Sequence, residues 1–73
     1  MASLPALESV SSSAISAIGY LEGTLYIEFR ETGHIYAYGG VSASTYQAFR
    51  SAVSIGAYFN QHILDHYPEQ RIS

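Results

Sequence analysis

The residues with most chemical scope in this chain are its seven tyrosines and its three arginines, Arg30, Arg50 and Arg71. Tyr20, Tyr26, Tyr36 and Tyr38 crowd into one stretch. Exposed tyrosines can stack nucleic-acid bases, each worth roughly 1–3 kcal/mol. Their commoner use is core and cross-strand packing, which stabilises small sheets. Arg30 and Arg50 suit a phosphate or a carboxylate; more often such residues are solvated or pair with a nearby acid such as Glu28 or Glu31. His62 and His66 are four apart with Asp65 between them. On a helix that spacing turns both imidazoles to one face, where zinc or nickel could bind. Two ligands make a weak site, however, and histidines near a helix C-terminus also suit its dipole. No metal and no cofactor is therefore expected. The segment Ser54-Ile55-Gly56-Ala57-Tyr58-Phe59-Asn60 could offer backbone N–H groups to an anion from a helix N-terminus. It lacks the Gly-rich spacing and lysine of a phosphate loop, and Gly56 reads more simply as a close-packing position. There is no clustered acid pair, no cysteine nucleophile, and no Ser–His–acid pattern that spacing justifies. The chain reads as non-enzymatic.

Composition narrows the classes further. The 73 residues include no cysteine, no lysine and only 12% charged residues, with a formal net charge of -3. Without cysteine there is no disulfide framework and no Cys-based zinc site. Few charges and many aromatics argue against disorder. So few cations argue against a conventional basic nucleic-acid binder. No run reaches the roughly 18 apolar residues of a membrane span, and the start Met-Ala-Ser-Leu-Pro has no secretory character. A cytoplasmic chain without membrane contact is expected. A single core below about 70–80 residues rarely supplies more than about 3–5 kcal/mol. Buried aromatics, and self-association as a homodimer, are the two routes to more.

These side chains must be positioned by a small set of elements. Residues 1–11 read as a flexible lead-in, with Pro5 opposing a helix and Ser9, Ser11, Ser12 and Ser13 forming a loop-type cluster. Strands are expected over Ser13–Tyr20, Thr24–Arg30 and His34–Tyr38, with turns at Leu21-Glu22-Gly23 and Glu31-Thr32-Gly33. Ser42 is a plausible N-cap for a helix over Ala43–Ala52 that repeats Tyr46, Phe49 and Val53. Ser54 can cap a second helix, Ile55–Tyr67, with Ile55, Phe59 and Ile63 on one face and Pro68 ending it. Residues 12–67 then form one α+β domain, a three-stranded antiparallel meander followed by two helices packed on one face. Residues 68–73 form a tail.

Register decides what the surface shows. A two-residue turn at Glu22-Gly23, the preferred reading, sets Tyr20 opposite Leu25 and Ile18 opposite Ile27. A three-residue turn would bring in Ile15 and Ala17 instead. In the second hairpin a three-residue loop with Gly33 last, a common form, sets Arg30 opposite His34, Glu28 opposite Tyr36 and Tyr26 opposite Tyr38. Those six would form an exposed aromatic platform. A two-residue loop would send Tyr36 and Tyr38 into the core, because a one-residue slip exchanges the faces. The platform is the favoured reading.

Tyr36-Ala37-Tyr38 resembles the YxY signature of the KTSC domain family, small domains found at the C-terminus of some lysyl-tRNA synthetases and as single-domain bacterial proteins. Other segments agree in order: Ser12-Ser13 with Ile15, Ile18-Gly19-Tyr20, Leu25 to Phe29, Gly33, Val41, Tyr46, and Ala52 to Asn60 with Ile63. The resemblance spans about Val10 to Tyr67. The family has no established activity; its attachment to a tRNA synthetase implies RNA binding by association. Within Ser12–Tyr67 four acids face two arginines, a net charge of -2, which weakens phosphate binding. Two expectations follow. One is weak RNA binding through Tyr26, Tyr36 and Tyr38 with Arg30 and Arg50. The other is a protein-interaction or self-association surface, since interface cores are rich in Tyr and poor in Lys and Glu.

Overall fold

In the computed structural model, which describes residues 4–73, Glu22 and Gly23 both take positive φ, 50° and 81°. That pair makes the two-residue turn whose twist suits antiparallel strands. It joins β2 (Ile15–Leu21) to β3 (Thr24–Phe29), with Tyr20 opposite Leu25 and Ile18 opposite Ile27 as expected. A bulge between Ile15 and Ala17 then shifts the register so that Ile15 sits opposite Phe29. Ile15 and Ile18 are three apart and would point to opposite faces of a regular strand. The bulge lets both be fully buried.

The sheet has five antiparallel strands, each paired with the next in chain order. The three-stranded meander therefore undercounts it. The lead-in contributes β1 (Glu8–Ser9) and the tail contributes β5 (Glu69–Arg71), flanking β4 (Ile35–Tyr38) and its neighbours. Of the expected lead-in, residues 1–3 lie outside the described residues. Its next stretch lies across β2. A Cβ at the buried Gly19 would come within 2.6 Å of the Leu7 side chain and 3.3 Å of that of Pro5, so the missing side chain gives this segment its seat.

The second hairpin differs from both readings of it. Its loop has four residues, Arg30 to Gly33. The Phe29 N–H donates to His34 O at 2.9 Å and the Gly33 N–H to Phe29 O at 2.8 Å, with Gly33 at φ 74°. Leu25 now faces Tyr38, Ile27 faces Tyr36 and Tyr26 faces Ala37. An even-numbered loop turns Tyr36 and Tyr38 to the helix side, so there is no tyrosine platform. Tyr38 is 1% exposed, and Tyr26 alone of the three points the other way.

α1 (Ala43–Arg50) starts at Ser42, whose side chain accepts the Thr45 N–H at 3.2 Å. It stops before Ala52, and Val53, expected on its apolar repeat, is fully exposed between the helices. α2 (Ile55–Tyr58) is capped by Ser54, which accepts the Ala57 N–H at 3.2 Å. It runs directly into one π-helical turn, Phe59–Ile63, closed by the Leu64 N–H donating to Phe59 O at 2.8 Å. Leu64 is extended and Asp65 takes φ 65°, so the helix ends well short of Tyr67. His66 lies beyond it, and the helical face that would have paired His66 with His62 does not form. Phe49, Ile55, Phe59 and Ile63 from the helices close over Ile15, Ile18, Leu25, Ile27 and Tyr38 to make the core.

Candidate binding groove

The corrected register sets Tyr36 and Tyr38 on the side of the sheet that α2 and the π turn cover. Phe59, the first residue of that turn, meets them through a chain of edge-on rings. Phe29 lies 5.6 Å from Tyr36 and 5.4 Å from Phe59, and Phe59 lies 5.8 Å from Tyr38, with interplanar angles of 82°, 72° and 74°. Such edge-to-face pairs are favourable beyond their buried area. The rings form the floor of an open groove of about 620 Å³. The β3–β4 loop supplies Glu31 and Thr32 to its rim, His34 follows directly after it, β5 supplies Glu69, and Ser13, Ala14 and Leu64 complete the lining.

The electrostatics of the groove are one-sided. Two carboxylates, an imidazole and no arginine line it. The Tyr38 hydroxyl donates to Glu69 Oε1 at 3.0 Å. Burial above all, then that bond and the Glu69 charge, hold the Tyr38 proton well above the ordinary tyrosine range. The hydroxyl is a fixed donor that orients Glu69. An aromatic floor beside carboxylates attracts cationic and apolar groups and repels phosphate.

The other expected site residues go elsewhere. Tyr26 is half-buried on the opposite face. Arg30 Nε donates to Ser12 O at 2.9 Å, with its Nη2 3.5 Å from Val10 O and from Ile15 O, so it ties down the segment entering β2. Arg50 Nη2 is 2.8 Å from Glu8 Oε1, which anchors β1, and its Cζ lies 6.0 Å from the centre of the Tyr46 ring. Tyr20 stacks on Tyr46 at 4.8 Å and donates to Val41 O at 2.6 Å. Tyr58 packs against Phe49 and His62, and Asn60 is exposed on the π turn.

Gly56 is not a tight spot. A Cβ there would meet Ser12 Oγ at 3.7 Å and Ala14 Cβ at 3.9 Å, ordinary contact distances. Gly56→Ala is accordingly expected to stabilise the domain by up to about 1 kcal/mol, because alanine restricts the unfolded chain and favours the helix. Urea unfolding checks this, and a loss of stability would show that the backbone there needs glycine.

The family model for the KTSC domain matches residues 11–67. The chain belongs to the KTSC domain family. The crystal structure of a KTSC domain protein from Yersinia pestis is 39% identical to it and superposes with a TM-score of 0.86, covering 93% of this chain and 97% of that one. No curated protein matches the chain. In this KTSC domain the groove floor joins two parts of the resemblance, Tyr36-Ala37-Tyr38 and the segment Ser54–Asn60, through Phe59. Glu69, by contrast, lies outside the matched residues. Sequence reasoning missed Phe29, Glu31, His34, Leu64 and Glu69 as groove residues. The parity of the second hairpin loop could have set Tyr36 beside Phe29, whereas Leu64 and Glu69 depend on the helix end and on β5.

Proposed function

We propose that this KTSC domain is a non-catalytic module of the cytoplasm that binds a basic segment of a protein partner in the aromatic groove. One observation carries the reading: Tyr36, Tyr38 and Phe59 meet there between the carboxylates of Glu31 and Glu69, with no arginine in the lining. A lysine or arginine side chain can lay its stem on Phe29 and Tyr36, the half-buried rings of the floor, and its charge against the carboxylates. A phosphodiester would meet those carboxylates instead. All three arginines are also engaged internally, Arg30 with Ser12 O, Arg50 with Glu8 and Arg71 with Ser73 O. RNA is left with the Tyr26 face, which has little charge to hold it. Among the described residues no helix is long and apolar enough to cross a membrane.

Titrating isotope-labelled protein with a short peptide alternating arginine and leucine should move the amides of Glu31, His34 and Tyr36, less so as salt is raised. The double variant Glu31→Gln/Glu69→Gln should bind at least about fivefold more weakly. A parallel titration with a short uridine-rich RNA should leave these amides still. Shifts with RNA at Tyr26, and none with peptide in the groove, would overturn the reading.

A further inference from the structure

The alternation that turns Tyr36 and Tyr38 toward the helices also decides where the backbone of β5 points. The Gly39 N–H donates to Pro68 O at 3.2 Å and the Ile72 N–H to Ile35 O at 2.9 Å. Gln70 stands opposite Ala37 between them. Residues 68, 70 and 72 thus direct their backbone groups at β4. In an antiparallel ladder the intervening residues direct theirs the opposite way. Glu69 and Arg71 therefore aim their N–H and C=O groups off the open edge of the sheet, and all of β5 is exposed.

An open edge is a template for another strand, and natural edges are usually guarded against it. This one carries one charge of each sign, in an order complementary to itself. Place a second copy antiparallel to it, with Gln70 opposite Gln70. Glu69 then faces the partner's Arg71 and Arg71 faces the partner's Glu69, each as a hydrogen-bonding pair. Ile72, at 39% among the large exposed hydrophobics, falls opposite the partner's Pro68. A proline there loses nothing, because residue 68 points at β4. A parallel arrangement would instead oppose like charges. The other edge has no such complement: β1 is two residues long and carries one acid, Glu8, and no cation.

We propose that two copies of this chain associate through β5, around a two-fold axis at Gln70, into one continuous antiparallel sheet. The interaction is isologous, and two ion pairs flank the axis. It does not rest on the groove reading, since it needs no peptide, although both use the Glu69 carboxylate.

Sedimentation of the full chain from micromolar to millimolar concentration tests it. A reversible dimer is expected. Arg71→Glu opposes two acids and Glu69→Arg opposes two arginines, so each variant alone should dimerise roughly tenfold or more weakly than wild type. Mixed in equal amounts, the two should associate to within about threefold of wild type, because every cross-strand pair is again of opposite sign. Arg71→Pro removes an N–H that points away from β4, and should give a folded monomer by its amide spectrum. It also decides the matter if Glu69→Arg, which loses the Tyr38 hydrogen bond, folds poorly. A strict monomer at millimolar concentration overturns the proposal. So does a dimer that survives Arg71→Pro, or a mixture that stays monomeric while both variants are folded.

Discussion

Phe59→Ala is expected to leave the domain largely unfolded at room temperature. Phe59 is 7% exposed and touches Phe29 and Tyr38 edge-on at 5.4 and 5.8 Å. Truncating a buried Phe to Ala costs about 3–5 kcal/mol. A core of this size supplies about the same in total, so the loss equals the whole margin. Phe59→Leu keeps most of the volume and should cost about 1.5 kcal/mol or less, leaving a folded protein with a weakened groove floor. Urea unfolding followed by circular dichroism, with amide dispersion as a check, separates the two. A Phe59→Ala protein that melts within a few degrees of wild type would show that the π turn does not hold the core closed.

The second large effect is alkaline. The Tyr38 hydroxyl is buried against Glu69, which raises its pKa in the folded protein, burial being the larger cause. An unfolded tyrosine releases its proton near about pH 10. The folded state then holds a proton that the unfolded state has lost. The stabilising contribution is complete below about pH 10 and is lost as pH climbs toward the folded value. Tyr46, also raised chiefly by burial though opposed by Arg50, adds in the same direction. Stability should therefore fall steeply above about pH 10. Tyr38→Phe costs about 0.5–1.5 kcal/mol at neutral pH through the lost hydrogen bond, but should flatten the alkaline decline. Melting temperature against pH for the two proteins checks this, and parallel curves would refute the assignment to Tyr38.

Much of the fold was legible in the sequence wherever a residue type forces a backbone state. The Glu22-Gly23 turn, the Ser42 and Ser54 caps and the Ile18/Ile27 and Tyr20/Leu25 register follow from local chemistry and stand in the structure. The second hairpin did not yield, because Gly33 can end a three- or a four-residue loop and only the parity of the loop assigns the faces. That one ambiguity moved Tyr36 and Tyr38 from a surface platform to a groove floor. β1 and β5 were invisible for another reason. Glu8-Ser9 and Glu69-Gln70-Arg71 carry no apolar alternation, and they are strands only because β2 and β4 offer free edges. The end of the second helix was misplaced because Leu64 and Tyr67 continue its apolar pattern, while Asp65 at positive φ turns the chain away. Arg30 and Arg50 were expected to hold a ligand or to pair with Glu28 or Glu31, but the carbonyls and the Glu8 carboxylate they meet belong to the segment leading into β2 and to β1.

Sheet order in this protein is the same as chain order. Every strand finds its neighbour one connection away, and only β5 waits for the helices between it and β4. Topologies of this kind fold fast, because few loops of high entropy must close before contacts reward them. Such an order also allows pairing to follow the chain as it is made. β2 to β4 can pair while the rest of the chain is still being made, and the helices can settle on them next. The strand that carries Glu69 to the groove follows all of them in the chain. The groove and the free edge thus both depend on that one strand, and both rest on a core that the residues before it supply.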